Sequence, residues 1–193
     1  MRPLLFILLW LWLSQAVAQT PIQLRVGYFG PTITSPGIRV SADYPLLAHN
    51  RRVVRHEDTL TKTHQWLLSG SVGFYSRGSL QRALFVLPQT GYQHIGKRGF
   101  TKTLLAGIGW LRLTTPSTAY TDLKGNRLRV DVPAESVVMY SVETALGWRY
   151  KPKQGRPWGW SLRPSAFWYK DRAGGSSGSL AVSIDLHLQL QKP

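Results

Sequence analysis

The sequence predicts an all-β fold, a closed antiparallel transmembrane β-barrel of about eight strands, on three observations. First, apolar and polar residues alternate without a break from Ser179 to Gln191. Leu180, Val182, Ile184, Leu186, Leu188 and Leu190 share one face, and Ala181, Ser183, Asp185, His187, Gln189 and Gln191 the other. Only a strand has this period, and about ten residues with one aliphatic face cross a bilayer when tilted. Second, Gly, Pro and short polar clusters divide the chain into similar segments with no clear amphipathic helix between them. Third, no stretch approaches the length of a spanning helix, and a closed barrel is the other way to satisfy every backbone group in lipid.

Taken in order, Arg2 is a positive n-region, Leu4 to Leu13 an apolar h-region and Ala16-Val17-Ala18 a small-x-small cleavage site. Residues 1–18 therefore read as a signal peptide and 19–193 as the barrel domain, since ten apolar residues fall well short of the roughly twenty of an anchor helix. The predicted strands are 22–29, 37–47, 64–76, 80–92, 100–113, 135–150, 158–170 and 179–191. In the first, Leu24, Val26 and Tyr28 oppose Gln23, Arg25 and Gly27. Ile38, Val40, Ala42 and Tyr44 similarly oppose Gly37, Arg39, Ser41 and Asp43, and Val138, Tyr140 and Val142 oppose Ser141 and Glu143. The fourth and fifth segments are apolar on both faces. Aromatics gather at segment ends, among them Tyr28, Phe29, Trp66, Phe74, Tyr75, Trp110, Trp148, Trp160, Trp168 and Tyr169, as interfacial girdles require. Pro164 lacks the ladder donor and reads as a bulge.

The formal net charge is +15 and there is no cysteine, which excludes disulfides, thiolate metal sites and lipoprotein acylation. Such a basic balance in an exported chain points to lipid phosphates or acidic glycans, not to nucleic acid. Linkers 48–63, 93–99 and 151–157 share one end of an antiparallel barrel. They carry Arg51, Arg52, Arg55, Lys62, Lys97, Arg98, Lys151, Lys153 and Arg156 against Glu57 and Asp58, a basic rim. Linker 48–63 is longer than a periplasmic turn should be, so either strands two and three extend past the membrane or the orientation is reversed.

Gly27-Tyr28-Phe29-Gly30 followed by Pro36-Gly37, then Gly73-Phe74-Tyr75, Gly91-Tyr92 with Lys97-Arg98-Gly99-Phe100, Gly107-Ile108-Gly109-Trp110-Leu111-Arg112 and Leu162-Arg163-Pro164-Ser165 form a recognisable order. It resembles that of a family of small outer-membrane β-barrel proteins of Gram-negative bacteria with no established activity. The resemblance covers most of residues 19–193 and implies a barrel with both termini in the periplasm, but transfers no catalytic residue. Many outer-membrane barrels close on an aromatic residue, whereas this chain closes on Leu190-Gln191-Lys192-Pro193.

The alternation turns Arg25, Arg39, Asp43, Glu143, Arg149, Arg163, Asp185 and His187 inward. The interior of eight strands is just wide enough for side chains to fill, so these charges are expected to pair. The predicted network joins Glu143 and Asp185 to Arg39, Arg149 or Arg163. Ser183, Asp185 and His187 have the residue types of a hydrolase triad. Ser183 and His187 are roughly 13 Å apart along one strand, however, so any triad would need residues of neighbouring strands. His49, His56, His64 and His94 fall in or beside linkers, and the arginines around His49 and His56 would repel zinc. No catalytic residue, cofactor or metal ligand is therefore assigned. The expectation is a monomeric outer-membrane barrel with a filled lumen and a structural, adhesive or surface-binding role. Its partners would be membrane lipid and, at the rim, anionic headgroups or acidic glycan. The alternatives are an enzyme that modifies outer-membrane lipid and a soluble periplasmic lipocalin-like barrel that binds an apolar ligand.

Overall fold

The computed structural model describes residues 22–30, 35–55, 58–78, 81–96, 98–115, 118–121, 127–130, 133–149, 158–170 and 175–189. The signal peptide expected over residues 1–18 lies outside them.

Among the described residues ten strands follow in order: β1 (Gln23–Gly30), β2 (Gly37–Arg55), β3 (Asp58–Arg77), β4 (Gln81–Ile95), β5 (Phe100–Thr114), β6 (Thr118–Thr121), β7 (Arg127–Val130), β8 (Glu135–Arg149), β9 (Trp158–Lys170) and β10 (Ser176–Gln189). Eight form a hydrogen-bonded antiparallel ring in the order β1-β10-β9-β8-β5-β4-β3-β2, which closes where β2 pairs with β1. A ring leaves no strand edge unpaired, as lipid demands. The remaining two, β6 and β7, make a separate hairpin inside a segment that the sequence reads only as a linker. Both chain ends of the ring, Gln23 opposite Gln189, lie at the same end of the barrel, here the terminal end.

The long linker 48–63 resolves into strand. β2 and β3 stay paired as far as Arg55 opposite Asp58, whereas β1 leaves β2 at Asp43 and β4 leaves β3 at Thr63. A two-stranded ribbon therefore projects from the terminal end. Its register slips once, between Pro45 and Leu47, where β2 leaves the ring. Pro164 makes no bulge. Glu143 pairs with Ser165 and Leu146 with Leu162, so the register is the same on both sides of a gap in the β8–β9 ladder. Without an N–H the proline forfeits pairing locally and the strand runs straight on. A like gap lies beside Pro88, between the Val86–Trp110 and Gln89–Gly107 pairs of β4 and β5.

Facing follows the two-residue period. On β10, Leu180 and Ile184 are 75% and 56% exposed, whereas Ser183 and Asp185 are 0% and 1% exposed. Exposed Trp66, Tyr92, Phe100, Trp158 and Trp160 ring the terminal end, and exposed Tyr28, Phe74, Trp110, Tyr140 and Trp168 ring the other. Trp160 and Trp168 are eight positions apart on β9. That is roughly 26 Å of strand and about 20 Å of height at a tilt near 40°, close to the apolar band of a membrane barrel. Phe29 and Tyr75 do not belong to these girdles. Both are 4% exposed and point into the lumen.

Gly99 adopts φ 87° in the turn before β5, a conformation that side chains other than glycine rarely take. Gly73 serves a different need, since a Cβ there would lie 2.3 Å from the Phe85 ring.

Candidate functional site

The lumen has two layers. Towards the terminal end and at mid-height it is polar. Arg25 donates from Nη2 to Asp43 Oδ1 and, at 2.9 Å, to Ser69 Oγ. Arg39 donates to Glu143 Oε2 at 2.5 Å, to Asp185 Oδ2 at 2.8 Å and to Ser183 Oγ at 2.6 Å. Arg163 approaches Glu143 Oε1 at 2.7 Å and Asp185 Oδ2 at 3.5 Å, and Arg25 Nη1 lies 3.8 Å from the same Asp185 oxygen. Asp185 thus serves three arginines from three strands, and side chains of β1, β2, β8, β9 and β10 meet across the barrel axis. Every member is at most 3% exposed.

Of the eight inward residues singled out in the sequence, Arg149 and His187 stand apart from this network. Arg149 donates to Gln23 Oε1 and, at 3.5 Å, to Gln93 Oε1, with no carboxylate within 4 Å among the described residues. Six positions along β8 separate it from Glu143, about 20 Å of strand, beyond the reach of an arginine. Gln93 also accepts from Gln65 at 2.6 Å and donates to Thr103 at 3.0 Å.

His187 lies between Gln23 and Ser161, its Nδ1 2.5 Å from Gln23 Nε2 and its Nε2 2.7 Å from Ser161 Oγ. This Ser–His contact joins neighbouring strands and is the arrangement that a hydrolase needs. Its protons run the wrong way. A guanidinium can only donate, so Arg149 fixes Gln23 Oε1 as acceptor and turns the Gln23 amide N–H towards His187 Nδ1. The imidazole proton then sits on Nε2 and is donated to Ser161, which leaves no base for the serine hydroxyl. Ser183 and Asp185 are held by arginines and take no part. Gln23 shares the inward parity of Arg25 and Ser161 that of Arg163, but only the folded register brings them to His187.

Away from the terminal end the lumen is apolar. Phe29, Tyr75, Phe85, Leu87, Leu111, Leu113, Val137, Met139 and Phe167 pack together, with Phe29 and Phe85 ring centroids 5.0 Å apart. The layers meet where the Arg39 guanidinium lies 5.6 Å from the Phe29 ring centroid. The cavity left there, lined by Phe29, Arg39, Phe85, Met139 and Glu143 among others, holds about 10 Å³. That is roughly the room one water needs.

Of the basic rim, Arg98 is exposed in the β4–β5 turn. Lys97, Lys151, Lys153 and Arg156 lie outside the described residues. Arg51, Arg52 and Arg55 belong to the β2 part of the ribbon, and their side chains are outside the description.

No protein-family model matches the sequence, and no curated protein matches it. Solved structures do. The outer membrane enzyme PagL is 15% identical over 88% of this chain and 99% of its own, with a TM-score of 0.45. Neisserial surface protein A (NspA) is 11% identical over 89% of this chain and 97% of its own, at 0.52. The β domain of the Bordetella autotransporter Brka is 8% identical over 86% and 68%, at 0.34. The class that the fold defines is thus the eight-stranded antiparallel barrel of outer-membrane type. At these identities the likeness, carried by NspA, is one of fold.

Proposed function

We propose that the chain is an exported, monomeric outer-membrane barrel with a closed lumen. It would act as a membrane-embedded scaffold with a structural, adhesive or surface-binding role, borne by what projects from its two ends. The observation that carries this reading is the pairing of an apolar, girdled outer wall with a lumen filled by ion pairs and aromatic rings. A pore needs a continuous polar gap, and a ligand-binding soluble barrel needs a cavity under a polar exterior. The residues oppose both. A lipid-modifying role finds no support at Ser161 and His187, whose hydrogen bonds run against general-base chemistry. Cleavage after Ala18, periplasmic termini and a preference for anionic headgroups or acidic glycan at the rim complete the proposal.

The test is fractionation and single-channel recording of the mature protein. Recovery with outer membranes, heat-modifiable migration on gels and no large stable conductance are expected. Recovery in the soluble periplasm would overturn the location, and large stable conductance the closed lumen.

A further inference from the structure

We propose that the outer wall of β3–β5 at the terminal end, where Lys62, His64, His94 and Lys102 converge, binds the phosphate headgroup of an anionic phospholipid. The inference rests on the reading of the barrel as membrane-spanning.

The register builds the site. His49 is opposite His64, His64 opposite His94, and His94 opposite Lys102, a single row across four strands. Directly paired residues share a face. Their neighbours Gln65, Gln93 and Thr103 are buried in the lumen, so the row points outward. His64 and His94 each lie two positions beyond a girdle aromatic, Trp66 and Tyr92 respectively, whereas Lys102 lies two positions on the membrane side of Phe100, paired with His94. One outward step past the girdle, about 7 Å, is headgroup depth. At the same end of β9 and β10 the exposed outward residues are Trp158 and Leu188, so the basic patch occupies one side of the barrel.

The cluster lacks a counter-charge. Among the described residues no carboxylate comes within 4 Å of Lys62, His64, His94 or Lys102. The His64 and His94 rings are 4.5 Å apart between centroids, His64 Nδ1 contacts the Tyr92 hydroxyl, and the buried Nδ1 of His94 has no partner. The Lys102 ammonium curls back to 5.8 Å from the centroid of the girdle ring Phe100. His94 stands in this row between His64 and Lys102. His49 on β2 and Tyr92 on its own strand complete its surroundings. A phosphate diester seated here would accept from both lysines and from a protonated imidazole. A zwitterionic headgroup would bring its own cation into the same repulsion. With the termini in the periplasm, this end faces the leaflet where phospholipid headgroups lie.

The experiment is native mass spectrometry of the mature barrel in detergent with equimolar phosphatidylglycerol and phosphatidylcholine. The expected result is a preference for phosphatidylglycerol of about tenfold. Lys62→Gln with Lys102→Gln should bring the ratio close to one, Lys62→Arg with Lys102→Arg should keep it, and Arg82→Gln with Arg112→Gln at the opposite end should leave it unchanged. Equal retention of the two lipids by the unmodified protein would overturn the site even if the glutamine variants failed to fold. So would equal displacement of both lipids by excess inorganic phosphate, the mark of a free-ion site. Loss of heat-modifiable migration by the unmodified protein would instead strike at the membrane barrel itself.

Discussion

The two layers of the lumen solve one problem by opposite means. Eight strands enclose a space that must be filled, and the terminal half fills it with arginines and carboxylates while the other half fills it with aromatic and aliphatic side chains. In the apolar layer each residue contributes its own burial, so a loss is local and graded. In the ionic layer Asp185 alone serves Arg25, Arg39 and Arg163, so removal of one partner strands several charges away from water. A buried network of this kind adds little net stability over an apolar filling, but it penalises misregister heavily. Its five contributing strands must all be in register before all of its charges are satisfied.

The largest test of this contrast is Glu143→Gln with Asp185→Asn. Breaking a single buried pair costs about 3–5 kcal/mol, and the double change should exceed that by leaving Arg39 and Arg163 without a carboxylate. Urea titration of folding into phosphatidylcholine vesicles measures it, and a loss no greater than for a change in the aromatic layer would end the distinction.

Next in size is a pair of neighbours on β10. Arg at lipid-facing Ile184 should cost about 2–4 kcal/mol. From the sequence alone, Arg at lumen-facing Ser183 should be the milder change. The structure reverses that order, because Ser183 is fully buried and already accepts from Arg39, so a second guanidinium would meet the first. The same titration decides, and a smaller loss for Ser183→Arg would mean that the lumen is less filled than the packing indicates.

Within the apolar layer, Phe85→Leu should cost only about 1–2 kcal/mol, the graded loss of a partly refilled site. Its melting should stay a single transition in thermal scans followed by gel migration.

The smallest effect is expected at Ser161→Ala. It removes one acceptor beside His187, worth about 1 kcal/mol or less, and should leave any lipid deacylation by the purified protein unchanged. A preparation whose deacylation disappeared with this hydroxyl would establish the enzyme that the proton arrangement argues against.

Legibility in the sequence differs between the same two layers. Where the filling is polar, the faces separate by composition, as on β10 and in the first halves of β2 and β1. Where it is apolar, the signal fails. The fourth and fifth segments look apolar on both faces because Phe85, Leu87, Leu111 and Leu113 supply the inner layer while Leu84, Val86, Ile108 and Trp110 face outward. For the same reason Phe29 and Tyr75 pass for girdle residues. Period and composition do not say which of two apolar faces is inside. Closure of the ring does.

By itself, then, the sequence determined the strand period, the eight segments of the ring and the inward parity of its charged residues, because these follow from local alternation and turn chemistry. Only the tertiary structure decided which charges meet. Arg149 shares the parity of Glu143 yet stands too far along β8 to reach it, whereas Arg25 and Asp185 come from opposite ends of the chain and approach each other because β1 and β10 close the ring. Height in the barrel depends on register between strands. Register is a long-range property that no single segment carries.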